Sequence, residues 1–361
     1  MSGLSLLHQN ETKMQIDYCV VGSGLAGTML ADSLFRKGFS VRLFSGSRTG
    51  EASKVSSGVV KPVTGRKFVK TWRFDQLYSH ALTCYRELEV RFQLELVQVL
   101  DIYVELTGAA QENDWRARML DDHYIPWMGI GDKKDLLSSF SANDIPIGLI
   151  RNGLKVNVPL ITESLLEFLN REGLVKFEDF EYQSLYFDLE NWRYHEERYR
   201  KIIFCEGYRG IHNPFLKSFR LTPLKGECIF VHSDHVPDYI FQSKYSVVPS
   251  AKETLWIGSN YNLKDTSATV TDTEIGNQLD FANQILLPAW ILVRKDFGFR
   301  STSSDRRPII GPVKNHQGLY VFNGFGTKGA SLIPYCRDML MDHLLHGSLI
   351  DPEVSASRYS S

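Results

Sequence analysis

The run IDYCVVG, Ile16 to Gly22, is almost wholly apolar, and the stretch after it, LAGTMLADSLFRKG, carries Leu25, Met29, Leu30 and Leu34 near helical spacing. A buried strand and then an amphipathic helix are expected. Gly38 falls where a helix ends on a left-handed residue, and SVRLF, Ser40 to Phe44, reads as the next strand. Strand, glycine turn, helix, strand is the βαβ unit of a parallel sheet. From Asp75 to about Val97, Leu77, Ala81, Cys84, Leu88 and Phe92 fall on one face of a long helix.

The βα rhythm then fades. VLDIYVEL reads as a strand, and Thr107 to Pro146 is polar, mixed and matches no periodic template. VPLITESLLEFLNREG, Val158 to Gly173, restores a helix with Thr162 as its candidate N-cap, and KIIFCEG, Lys201 to Gly207, is a buried strand ending in a glycine turn. Past Arg220, the runs LTPLKGECIFVH, YSVVPS and TLWIGSNYN are rich in β-formers and broken by Pro, Gly and Asn, which suits an antiparallel layer. A helix, TEIGNQLDFANQILLPAW, follows, and RPIIGPV, GLYVFNG and GASLIPYCRDMLMDHLLHG return to strand, turn and helix. The pattern predicts an α/β fold. A Rossmann-like parallel-sheet domain is assembled from residues 14–74, 151–215 and 297–350, and an α+β domain with a mainly antiparallel sheet from 75–150 and 216–296.

Composition narrows the function. Lys plus Arg number 41 against 42 Asp plus Glu, a net charge of −1, so no overall field draws in nucleic acid or an anionic membrane. A small-molecule substrate is expected. The 5 cysteines, Cys19, Cys84, Cys205, Cys228 and Cys336, form no C-x-x-C pair, which points to a reducing, cytoplasmic setting. Residues 2–13 lack the basic and long apolar regions of a signal peptide, and no apolar run reaches membrane-spanning length. Among the 10 histidines there is no H-x-x-x-H or H-E-x-x-H arrangement, so no metal site is expected; nor is there a G-x-S-x-G elbow.

Gly22-x-Gly24-x-x-Gly27 fits the dinucleotide fingerprint, and it lies between a strand and a helix, as that fingerprint requires. The acidic residue that usually holds the ribose is absent. Ser45 takes its place at the end of the second strand, and the nearby Arg42 and Arg48 leave open a phosphorylated ribose instead. A second glycine cluster, VFNGFGTKGAS, sets Gly324, Gly326 and Gly329 around Thr327 and Lys328 at the start of the last helix. A contiguous nicotinamide domain has no need of it. A flavin does, because its ring lies far from the adenine and its reduced form carries negative charge that a helix N-terminus stabilises.

From about Gln15 to Leu345 the chain resembles the FAD-dependent oxidoreductases of the D-amino-acid oxidase type, which include glycine and sarcosine oxidases. VVGSGLAG, with Leu25 and Ala26 between its last glycines, is similar to the family's ADP-binding turn, and ASKVSSGVVKP to the segment where Ser56, Ser57 and Gly58 line pyrophosphate and flavin. IIFCEGYRG resembles the strand and turn that bring Gly207 to the cofactor; LTPLKGE, the turn into the substrate layer; and GLYVFNGFGTKGASLIP, with Phe325, the flavin-facing terminus. The resemblance implies hydride removal from a carbon bearing an amine, giving an imine and reduced flavin. It also implies Arg300, in FGFRSTSSDRRPIIGPV, as the grip on a substrate carboxylate and Lys328 as its partner. Tyr245 and Tyr261 are candidates for the pocket wall. The segment FGFRSTSSDRRP lacks the cysteine of covalent-flavin members, so noncovalent FAD is implied.

Two other functions are open. GFGTKG and SSGVVKPVTGRK also resemble the oxidoreductase domain of the bifunctional tRNA methylaminomethyluridine enzyme, whose substrate amine is attached to RNA. In KPVTGRKFVKTWR, Lys61, Arg66, Lys67, Lys70 and Arg73 alternate with Phe68 and Trp72, the composition of a phosphate-contacting strip. Overall neutrality and the missing methyltransferase domain favour a solvated loop near the flavin. The third possibility is a flavin-binding protein without turnover. Sequence leaves the amine, the electron acceptor and the oligomeric state open.

Overall fold

The computed structural model describes residues 15–46, 49–132, 146–188, 190–286 and 290–359. The leader, Arg48 and residues 133–145 of the unpatterned region lie outside the described residues. The first strand, Gln15–Val21, pairs in parallel with Val41–Phe44 on one side and Glu197–Phe204 on the other. Val175–Lys176 and Leu319–Asn323 extend the parallel set, and antiparallel strands complete a sheet of 8. Because successive strand residues face opposite sides, Tyr18 and Val20 pack under the helices Leu25–Arg36, Phe74–Phe92, Val158–Arg171 and Gly329–His346. Cys19 and Val21 face a separate aromatic cluster with Phe44, Tyr194 and Phe204. A strand buried on both faces explains the unbroken apolar run read from the sequence.

Helix boundaries follow local chemistry. Leu25–Arg36 stops before Gly38, whose φ of 87° is left-handed and whose N–H donates to the Phe35 carbonyl. Phe74–Phe92 is shorter than expected, because Gln93 turns left-handed (φ 55°) and hands the chain to the strand Val97–Glu105. Thr162, expected as an N-cap, is not one. Asn157 caps Val158–Arg171 by accepting from the Leu160 N–H, Pro159 stands in the first turn, and Thr162 donates back to the Val158 carbonyl at 2.8 Å from within the helix.

The second sheet has 9 strands. Its order runs Trp290–Thr302, Thr222–Ser233, Thr254–Gly258, Ser246–Ala251, Ile240–Gln242, Val97–Glu105, Ile147–Val156, Val59–Val60, with Met128–Ile130 as a ninth strand also on Ile147–Val156, and every pair is antiparallel except Ile240–Gln242 with Val97–Glu105. Ile147–Val156 and Trp290–Thr302 run across the expected boundaries at 151 and 297, and both belong to this sheet. The helix expected to reach Trp290 ends at Ile285. Within the unpatterned region, Ala109–Met119 is a helix that buries only Trp115, too little for a hydrophobic stripe to show. All 5 cysteines are buried and unpaired. No described helix is long and apolar enough to cross a membrane.

Candidate flavin and substrate site

A cleft of about 2020 Å³ opens beyond the carboxyl ends of the parallel strands and extends along the second sheet. At one end lies the first glycine turn. Gly22 is left-handed (φ 106°), and a Cβ at Gly27 would fall 1.8 Å from the Gly22 carbonyl oxygen, so Gly27 seats the helix on the turn instead of lining the cleft. Gly24 lines the cleft, where a Cβ would stand 3.4 Å from Ser53 Oγ, and it caps the helix with no side chain, while the Leu25 N–H donates to Ser53 Oγ at 3.1 Å and Ala26 lines the cleft beside it. Ser56 Oγ accepts from the Gly58 N–H at 3.1 Å, and Ser57 lines the wall beside them. Gly58 has φ 68°, and a Cβ there would strike the Val156 carbonyl oxygen at 1.7 Å.

Ser45 does not reach the cleft. It is buried, and its hydroxyl shares a 2.7 Å hydrogen bond with Ser23. The carboxylates at this end come from elsewhere: Asp179 Oδ1 stands 2.1 Å from where a Cβ on Gly46 would be, and Glu178 and Glu206 also line the cleft. Burial pushes the Glu206 carboxyl up to about 7 against the lowering effect of its bonds from Asn213 and Tyr182. Neither Asp179 nor Glu206 could be found by counting along the second strand. Arg42 is spent on Glu197 and the Gly173 carbonyl, away from any ribose phosphate.

The second glycine cluster lines the same cleft. Gly324 and Gly326 are left-handed, the Gly326 N–H donates to the Ser301 carbonyl at 2.8 Å, and Phe325 bridges to Thr302. Thr327 and Lys328 follow on the wall, and Lys328 precedes the helix Gly329–His346 with no side-chain cap. Asn323 ties this loop to Gly207 by donating from Nδ2 to the Gly207 carbonyl at 2.9 Å. Among the described residues Lys328 Nζ finds only Thr64 Oγ1, at 3.4 Å; burial lowers its pKa, and Arg307 and Arg306 lower it further.

Arg300 is carried toward this loop by the strand Trp290–Thr302. Its guanidinium lies flat over Gly226, where a Cβ would stand 2.3 Å from Nη2, and donates to Ser259 Oγ and to the Asn260 carbonyl at 3.3 Å. The Tyr261 ring is 5.1 Å away. Burial lowers the Arg300 pKa, and no described carboxylate pairs with it. Tyr261 is 69% exposed at the rim, whereas Tyr245 is wall packing, its hydroxyl donated to Glu274 at 2.8 Å and its ring against Phe281.

Folding breaks up the basic strip in part. Lys61 is half-buried in the cleft wall with Nζ donating to Gln242, Lys70 pairs with Asp75, Arg73 pairs with Asp351 while staying exposed, and Phe68 is core. Arg66 and Lys67, at the tip of the hairpin joining Val63–Thr64 to Val69–Lys70, are exposed as well.

The family of FAD-dependent oxidoreductases known as DAO matches residues 17–342. The chain belongs to this family. Glycine oxidase from Bacillus cereus superposes with a TM-score of 0.80 at 18% identity over 92% of this chain and 96% of that one. Iminodiacetate oxidase from Chelativorans sp. BNC1 gives 0.75 at 22% over 95% and 98%, and L-proline dehydrogenase from P. horikoshii 0.75 at 12% over 96% of each. The residues of this DAO-family chain fit FAD: a large cleft is lined by two helix N-termini without side-chain caps, and glycines at 22, 24, 324 and 326 let backbone approach. The Gly24–Ala26 turn would hold the pyrophosphate and the Gly324–Lys328 loop the ring.

Proposed function

We propose that this FAD-dependent oxidoreductase removes hydride from the carbon next to the amine of a small amino acid or secondary amine, leaving an imine, with FAD held noncovalently. The observation that carries the reading is Arg300, a desolvated guanidinium without a carboxylate partner, one strand residue from the carbonyl that binds the Gly326 loop. A buried cation of this kind is poised for a ligand carboxylate, and its planar fork suits two parallel hydrogen bonds. When bound, FAD supplies the hydride acceptor. Arg300 fixes one end of the substrate, Tyr261 covers the guanidinium on the solvent side, and the apolar wall of Phe325 and Trp256 keeps water from the reacting carbon. Lys328, at the uncapped helix start, adds positive charge where the ring becomes electron-rich.

We assign the protein to the cytoplasm, since 5 buried unpaired thiols suit a reducing compartment. The tRNA reading is the less favoured one, because Lys61 and Lys70 turn away to Gln242 and Asp75 and Arg73 pairs with Asp351. Anaerobic mixing of the FAD-loaded protein with N-methyl amino acids, D-amino acids and proline tests the proposal: one of them should bleach the flavin absorbance. A flavin that none of these amines bleaches, in a protein that binds FAD stoichiometrically, would favour a role without turnover.

A further inference from the structure

A second cation of the cleft, Lys61, is used by nothing above. It belongs to the segment between the strands Val59–Val60 and Val63–Thr64, and its half-buried side chain lines the cleft. Among the described residues the one acceptor its ammonium reaches is the Gln242 amide oxygen, and Lys328 stands near enough to repel it. Drawing an ammonium out of water with no counter-charge beside it is unfavourable, so such a group favours an anion that enters the cleft from outside the chain. The carboxylates that line this part of the cleft are engaged elsewhere: Glu105 accepts from Ser243, Asp305 from Arg358, and Glu51 lies within 4.0 Å of Lys54. Burial first, and Lys328 second, lower the Lys61 pKa to about 8, the signature of a charge lacking its partner.

The cations can be apportioned. Lys328 sits on the loop that would face the flavin ring and would answer charge there, and the Gly24–Ala26 turn would take the pyrophosphate. Arg300 and Lys61 are left for the substrate. A simple amino acid with its amine neutral brings one negative charge, enough for Arg300 alone. We propose that the substrate carries two anionic groups, a carboxylate for Arg300 and a second acid group for Lys61. This rests on the amine-oxidation reading.

The test uses the FAD-loaded full chain. Ligands matched except for a second carboxylate are titrated against the visible flavin spectrum: acetate against malonate and succinate as unreactive anions, then sarcosine against N-methylaspartate as reductants. The diacids are expected to bind at least about tenfold tighter, and N-methylaspartate to reduce the flavin at correspondingly lower concentration. Lys61→Gln should lower diacid affinity about tenfold more than monoacid affinity, with Lys61→Met as the second variant should the amide disturb the wall. Equal affinity for monoacid and diacid in the unaltered protein overturns the inference, as does selectivity that both variants retain. Failure of the amine-oxidation reading looks different: neither amine bleaches the flavin, although the diacids still perturb its spectrum selectively.

Discussion

Gly226→Ala tests the carboxylate grip without touching Arg300 itself. The new Cβ would lie 2.3 Å from Nη2, 2.4 Å from Nη1 and 2.5 Å from Cζ of Arg300. No methyl and guanidinium coexist at those distances, but the obstructing atoms end a flexible side chain, so the guanidinium swings aside and the backbone stays. The Ser259 and Asn260 contacts that aim the fork are then lost. A charge-assisted hydrogen bond to substrate contributes roughly 1.5–3 kcal/mol, which corresponds to a fall in kcat/KM of about 10- to 100-fold. Because the grip acts on bound substrate and transition state alike, the loss falls mainly on KM. Stopped-flow flavin reduction over a range of substrate concentrations separates the two constants, and thermal melting checks the fold. Arg300→Met should behave similarly, and the double variant should be no worse than Arg300→Met alone, since both changes remove one interaction. Additive losses in the double variant, or an unaltered KM in Arg300→Met, would refute the assignment.

Other consequences are as sharp. Gly27→Ala drives a Cβ to 1.8 Å from the backbone oxygen of Gly22, which cannot yield as a side chain does; a loss on the order of 3 kcal/mol and poor flavin retention are expected from melting and absorbance ratio. Lys328→Met should lower the flavin midpoint potential by roughly 20–40 mV through loss of positive charge near the reduced ring, read by dye equilibration; an unmoved potential would place Lys328 away from the ring. Burial raises the Asp305 carboxyl, but bonds from Arg358, the Arg307 N–H and Ser303 outweigh it and hold the group at about 2, below its ordinary 3.8. A depressed acid contributes stability above its unfolded pKa and loses it as pH falls toward the folded one, so denaturant midpoints should drop between about pH 4 and 2, and less steeply in Asp305→Asn.

What was legible in the chain was what the backbone itself demands. Gly22, Gly27, Gly58, Gly324 and Gly326 are needed at left-handed turns or at contacts closer than a Cβ permits, and both conditions leave glycine where nothing else fits. The parallel strands showed as apolar runs because they are buried on both faces. Trp290–Thr302 was obscured because its first half is an exposed sheet edge bearing Ile291, Leu292 and Val293, which gives no alternation to read. Thr162 misled because a hydroxyl near a helix start looks the same whether it caps the first turn or bonds back one turn later.

Charges were the hardest to place, for a physical reason. Lys61, Lys70 and Arg73 are near neighbours in a basic string, yet one lines the cleft wall and two pair with Asp75 and Asp351, the latter from the far end of the chain. Whether a lysine meets water, a carboxylate or a cavity depends on partners brought in by the sheet, here Gln242 from a strand that pairs with Val97–Glu105. The glycines record a local constraint, whereas the charges record the assembled surroundings. A cofactor site built largely of backbone can therefore be inferred from spacing, whereas the proposed contacts to substrate are visible only in part: the resemblance pointed to Arg300, and nothing in the chain singled out Lys61 from the basic string around it. On the proposed reading, the glycines fix the loop that would face the ring, and the cations left beside it would set which amine is oxidised.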